Sequence, residues 1–130
     1  MGQIGHGLLV YLAAGKADLD EAASFMAQKV ETLRVFADDA GKMSLSVRDV
    51  GGGVLVVPQF TLYGDVRKGR RPSFEAAASP ERGLTLYEAV CTSLRERGIE
   101  VQTGRFRTSM QVHAEVSGPV TILIDSERAF

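Results

Sequence analysis

An α+β domain with two amphipathic helices and a largely antiparallel sheet is the fold class that this sequence predicts. Short apolar runs bounded by glycine, such as Gly7 to Ala14 (GLLVYLAA), have the length and flanks of buried strands. Two longer stretches carry apolar residues at helical spacing, each behind a capping signal. The remaining segments alternate apolar and polar residues between turn residues, the pattern of hairpin-linked strands. With 130 residues, the chain fits one domain over residues 1–130 that buries roughly two-thirds of its unfolded surface.

Taken in order, the first apolar run leads to Asp18 and, three residues on, Glu21, a capping box with Asp in place of Ser. Ala22, Met26, Val30 and Leu33 then predict a helix over 18–36. Asp38-Asp39-Ala40-Gly41 predicts a turn, after which Met43, Leu45 and Val47 alternate with Ser44, Ser46 and Arg48 as in a half-exposed strand. Gly51-Gly52-Gly53 predicts a hairpin into the next strand, because glycine accepts positive φ without steric cost. As a phosphate cradle it lacks the following Gly-Lys-Ser or Gly-Lys-Thr and the helix such a loop opens. The valine-rich run from Leu55 predicts a strand buried on both faces, with Gln59 and Thr61 as hydrogen-bonding groups inside it.

Ser79-Pro80-Glu81 starts the second helix, with serine as cap and proline at the first helical position. Leu86, Tyr87, Val90 and Leu94 form its buried stripe and Gly98 closes it. Ile99 to Val101, Met110 to Val116 and Val120 to Asp125 predict three short strands, separated by Gly104 and by Ser117-Gly118-Pro119. Gly118-Pro119 reads as a turn, with a rigid backbone edge as the alternative.

A net charge of −1, from 15 basic and 16 acidic residues, excludes a generally basic nucleic-acid coat. Against that neutral background Arg67, Lys68, Arg70 and Arg71, held by Gly69 and Pro72, stand out as a compact anion site with phosphate as the natural partner. A solvated charge run is the alternative. Phe74 beside it reads as core, with base stacking as the alternative. The single cysteine, Cys91, excludes an internal disulfide, fits a reducing cytosol and reads as helix core. No stretch reaches the ~20 apolar residues of a membrane span, and no signal peptide is apparent. A cytoplasmic protein without membrane partners is expected. His6 and His113, the two histidines, sit in no ligand spacing, so no metal and no cofactor is expected. His113, in an alternating segment, reads as a surface or hydrogen-bonded residue rather than the base of a triad.

Several segments carry a family resemblance. FTLYGDVRKGRRPSF, LYEA in the second helix, TGRF at Thr103 to Phe106, MQV at Met110 to Val112 and GPVT at Gly118 to Thr121 resemble the D-aminoacyl-tRNA deacylases. So do IGHGLLVYL and ETLRVFADDAGKMSLSVRDVGGGVLVV, and together these cover nearly the whole chain in unbroken order. The resemblance implies a deacylase-like sheet closing into a partly open barrel and a homodimer. It also implies hydrolysis of the ester that joins a D-amino acid, or glycine, to the terminal adenosine of tRNA. The family's SQxxT segment maps onto Pro58, Gln59, Phe60, Thr61 and Leu62, with Gln59, Phe60 and Thr61 as the catalytic positions. Thr61 is one possible nucleophile there. Main-chain groups that position the ester, with the substrate's own ribose hydroxyl assisting water, are the preferred alternative, since a lone threonine without a base is a weak nucleophile. Gly118 and Pro119 match the family's cis pair, which enters the partner subunit's pocket and excludes L-amino acids by shape. Met110 and Pro58 complete the substrate pocket, and Arg67, Lys68, Arg70 and Arg71 would hold tRNA phosphates.

The chain departs from the family pattern in three places. The family's first strand, and a hairpin bearing an arginine that locks the Gly-Pro loop, have no counterpart ahead of Met1. Pro58 stands where the family has serine, and Val116 where it has asparagine. A PQxxT segment is similar to that of the animal paralogue, in which the Gly-Pro bond is trans and chiral selection relaxed. Altered or relaxed enantiomer selection is therefore expected, and a sheet edge covered by the dimer partner or by Ser126 to Phe130. A catalytically impaired tRNA-binding or dimeric interaction protein is the rival reading, and an esterase of small N-acyl or D-amino esters a further one.

Overall fold

β-branched side chains stiffen χ1 and pack well on a pleated surface, and the valine run accordingly builds the central strand. The computed structural model describes residues 2–130. In chain order it has strand β1 (Gly7–Leu12), helix α1 (Glu21–Thr32) and strands β2 (Phe36–Ala37), β3 (Met43–Leu45) and β4 (Gly53–Pro58). A 3-10 turn over Phe60–Tyr63, helix α2 (Pro80–Glu96) and strand β5 (Glu100–Thr103) follow. The valine-rich β4 lies between β1 and β5, parallel to both, with Leu8 opposite Val54 and Val101 opposite Val54 on the other side. At the start of the β1–β4 ladder two glycines, Gly7 and Gly53, lie opposite each other, and a Cβ on Gly7 would overlap the Gly53 carbonyl. Only glycine permits this approach.

Val54 and Val56, fully buried, pack in one cluster with Ala27 and Val30 of α1 and with Leu86, Val90 and Leu94 of α2. Ser79 caps α2 as expected, its Oγ accepting from the Arg82 amide at 3.3 Å, and Gly98 takes φ +82° just past its end. The two helices are also locked through Glu31, a buried carboxylate of α1. It accepts from Arg48 at 2.8 Å and from Arg97 at 2.9 Å, and Arg48 donates in turn to the Arg97 carbonyl. A buried charge is tolerated when both oxygens are paired in this way.

The fold remains α+β, but the sheet corrects the expectation. Its three strands are parallel, the antiparallel ladder is confined to β2 and β3, and no barrel closes among the described residues. The physical cause lies in the connections. β1 and β4 are separated by α1, and β4 and β5 by α2, and a crossover through a helix returns the chain parallel to where it began. Gly51-Gly52-Gly53 is not the expected hairpin: β3 pairs back onto β2, and Gly51 with φ +65° turns the chain into β4. Helix α1 is shorter than 18–36. Asp18 is not its cap but accepts from the Gly15 amide at 2.8 Å, and Phe36 has already entered β2. The expected strands Met110 to Val116 and Val120 to Asp125 form no ladder among the described residues, and most of their side chains are exposed. Alternation makes a segment suitable for a sheet, yet a strand exists only where a neighbour accepts its hydrogen bonds. The tail Ser126 to Phe130 turns toward α1, with the Arg128 guanidinium 5.9 Å from the Phe25 ring, rather than pairing with a sheet edge.

Candidate functional site

Three parallel strands end on the same edge of the sheet, and the loops after them meet there. This is where ligands bind in open parallel sheets. A groove of about 780 Å3 lies at this edge, lined by Leu12 after β1, by Pro58, Gln59 and Thr61 after β4, and by Phe106 and Met110 after β5. The expected Gln59 and Thr61 are thus not inside a strand. Pro58 is the last residue of β4, and the next three begin a tight turn.

Proline is tolerated at that point for a reason visible in the ladder. The Gln59 amide donates to the Leu12 carbonyl at 2.8 Å, so the amide that Pro58 lacks would face the opposite neighbour, β5. The β5 ladder has already ended at the Val56–Thr103 pair. Within the turn the Leu62 amide returns to the Gln59 carbonyl and Gly64 to Thr61. Among the described residues the amides of Phe60 and Thr61 have no acceptor. Gln59 Nε2 donates to Thr61 Oγ1 at 3.1 Å, and no titratable side chain bonds to that hydroxyl. The exposed Phe60 ring rests edge-on against Phe74, 5.1 Å between centroids, so Phe74 forms part of the wall.

The β5 side of the groove is held by Tyr87. Its hydroxyl donates to the Val56 carbonyl at 3.1 Å, and burial pushes it up to about 12. The Gly104 carbonyl lies 3.5 Å from the same oxygen. Gly104 also makes room for Met110: a Cβ there would stand 2.6 Å from Met110 Sδ and 3.6 Å from Pro58 Cδ. Met110 and Pro58 are therefore neighbours across a glycine.

Charge in the groove is uneven. Asp18 and Asp125 line it, and with Glu127 their carboxylates add to burial in raising the Tyr63 hydroxyl above its ordinary value. Arg107 is the one basic residue lining it among the described residues, and it adopts φ +58°. A left-handed backbone costs a non-glycine residue about 1–2 kcal/mol. Neither Arg107 nor Tyr87 was singled out for the site from sequence. Spacing carries no signal for either, since one depends on a backbone angle and the other on a hydroxyl that reaches across the core.

The basic loop is a separate excursion. Asp65 and Ser73 pair antiparallel at its base, at 2.7 and 2.9 Å, and Gly69 turns it with φ +69°. Arg67 is not a free cation: its guanidinium donates twice to Asp65, at 2.9 and 2.7 Å, holding that carboxyl down at about 2. Lys68, Arg70 and Arg71 are exposed and form no ion pair among the described residues. Gly118 and Pro119 are joined by a cis peptide bond on an exposed segment and do not line this chain's own groove. The structure thus gathers Pro58, Gln59, Phe60, Thr61 and Met110, and leaves the Gly-Pro pair and the cations outside. Among the described residues no cluster of His, Cys, Asp or Glu could hold a metal, and no helix is long and apolar enough to cross a membrane. His6 packs edge-on against Phe36, and His113 is exposed.

Comparison with known proteins places this geometry. Residues 1–125 match the D-Tyr-tRNA(Tyr) deacylase family. The chain is 54% identical over 130 residues to a D-aminoacyl-tRNA deacylase of Thermotoga petrophila, covering 100% of this chain and 87% of that protein. It is 56% identical over 129 residues to one of Anaeromyxobacter dehalogenans, covering 99% and 87%. Among solved structures it resembles the c-Myc DNA Unwinding Element Binding Protein, with TM-score 0.85 and 38% identity over 92% of this chain and 81% of that one. A probable eukaryotic D-amino acid tRNA deacylase shares the fold, with TM-score 0.75 and 20% identity over 89% and 83%. A match that runs through both the groove-forming turn and the scaffold around it leaves one assignment: the chain belongs to the D-Tyr-tRNA(Tyr) deacylase family.

Proposed function

We propose that this protein is a D-aminoacyl-tRNA deacylase, hydrolysing the ester between a D-amino acid, or glycine, and the terminal adenosine of tRNA. Family membership supports the reaction, and the unpaired amides of Phe60 and Thr61 in the groove are the observation that carries the mechanism. Water adds to the ester carbonyl carbon while these two N–H groups donate to the oxygen that becomes negative. Fixed donors of this kind typically contribute about 3–4 kcal/mol each in the transition state. The free ribose hydroxyl of the substrate relays the proton of water to the ribose oxygen that bore the ester. The bond between the carbonyl carbon and that ribose oxygen then breaks, leaving tRNA with both hydroxyls and the free amino acid. Thr61 is not the nucleophile in this reading, because its hydroxyl accepts from Gln59 and has no base beside it.

The second copy in a homodimer would supply what a single chain leaves apart. The exposed Gly118–Pro119 pair would enter the partner's groove and exclude L-amino acids by shape. Lys68, Arg70 and Arg71 would hold tRNA phosphates, with Arg67 shaping the loop through Asp65. A cytoplasmic location fits a tRNA substrate and the single buried cysteine. A tRNA-binding protein with impaired catalysis is the rival that Pro58 favours, since proline removes a hydroxyl and an N–H from the pocket strand.

Release of labelled D-amino acid from charged tRNA by the wild type and by Thr61→Ala tests both function and mechanism. Thr61→Ala is expected to retain the wild-type rate within about tenfold. A fall of ~10^6, the scale of a lost nucleophile, would return Thr61 to that role. Absence of turnover by the wild type with intact tRNA binding would establish the rival.

A further inference from the structure

We propose that Arg107 holds the 5′-phosphate of the nucleoside that occupies the groove, and so sets the direction in which the ligand lies. The proposal rests on the deacylase reading above and extends it to a residue outside the expected pocket. Three observations carry it. Arg107 is the one basic residue lining the groove among the described residues, and it makes no hydrogen bond or ion pair there. Its neighbours across the groove have the opposite sign: Asp18 follows β1 at one edge of the sheet, and Arg107 follows β5 at the other, with the β4 turn between them. Asp125 joins the acidic side, since it and Asp18 both act on the Tyr63 hydroxyl. A phosphate is repelled from the β1 side and attracted to the β5 side. The guanidinium fork matches phosphate oxygens with two parallel donors.

The backbone gives the third observation. Arg107 has φ +58°, a conformation that glycine adopts freely and other residues rarely. Non-glycine residues held there concentrate at ligand-binding sites, where the side chain is what the position gains in return for the strain. The adjacent Phe106 ring lies 5.9 Å from Tyr87, which anchors the segment at the groove wall.

Binding of adenosine 5′-monophosphate and of adenosine to the whole protein, followed by NMR, tests this with Arg107→Gly, Arg107→Gln and Arg107→Lys. The wild type is expected to prefer the monophosphate, and Arg107→Gly and Arg107→Gln to weaken it by about tenfold while leaving adenosine unchanged, the loss of one charge-assisted contact. Arg107→Lys retains part of the preference. Arg107→Gly, which relieves the left-handed backbone, is expected to melt no lower than the wild type, separating lost charge from lost fold. An unchanged preference in Arg107→Gln overturns the proposal while leaving the deacylase reading intact. A wild type that binds neither probe, or binds both equally, overturns the proposal, whereas the deacylase reading falls only if charged tRNA is not hydrolysed.

Discussion

The strand β4 with the turn after it and the segment from Met110 to Asp125 are both rich in valine, and they end in opposite states. The first follows a strand flanked on both sides, with Val54 and Val56 fully buried and its amides bonded except at the two groove positions. The second leaves Val116, Val120, Ile122 and Leu123 exposed and forms no ladder among the described residues. Exposed apolar side chains clustered on one segment are the kind of surface that a partner can cover. One region has its neighbours within the chain, and the other would take them from a second copy in the proposed homodimer.

The comparison breaks most severely if the segment from Met110 to Asp125 is charged. If the proposed homodimer packs on this segment, Ile122→Asp is expected to give a monomer in sedimentation and to lower deacylation by on the order of a hundredfold, because the Gly-Pro pair would leave the partner's groove. An active, dimeric Ile122→Asp protein would mean that this segment serves no interface. Truncation in each region sharpens the contrast. Leu94 is 0% exposed and Leu123 71% exposed. Leu94→Ala is expected to lose ~2–5 kcal/mol in denaturant unfolding. Leu123→Ala should stay within ~0.5 kcal/mol at concentrations where the chain is monomeric.

A smaller effect is expected in the basic loop. Joint reversal of Arg70 and Arg71 to glutamate should weaken tRNA binding and reduce the slope of log affinity against log salt by about 2. Reversal of Arg67 should act differently, by releasing Asp65 and loosening the loop. An esterase of small molecules would respond to neither.

The smallest effect concerns pH. The Arg67 guanidinium holds the Asp65 carboxyl at about 2, below its ordinary value of 3.8. A depressed carboxylate contributes stability that is present above the unfolded value and lost as pH falls toward the folded one. The loop is therefore expected to keep its shape from neutrality to about pH 4 and to open between about pH 4 and 2, followed by the Asp65 carboxyl signal in NMR. A midpoint near 3.8 would contradict the pairing.

Much of this was legible in the residues. Ser79 and Pro80 announced α2, the valine run announced β4, and the Asp38 cluster announced a turn in which that carboxylate accepts from Ala40, Lys42 and Ser44. The parallel sheet was not legible, because alternation reports which face is buried but not which strand lies beside it. Gly51-Gly52-Gly53 has the composition of a hairpin whether it links paired strands or not. In the site, Gln59, Thr61 and Met110 were named from the family resemblance, and the geometry brings them together. Arg107 and Tyr87 escaped because one depends on a backbone angle and the other on a contact between residues 31 positions apart.

Single-turnover hydrolysis of matched D- and L-aminoacyl-tRNAs by the wild-type protein tests the central claim most directly. The D-aminoacyl ester is expected to be cleaved faster, with the L ester cleaved slowly if selection is relaxed at Pro58 and Val116. Salt-sensitive binding of both with cleavage of neither would contradict it.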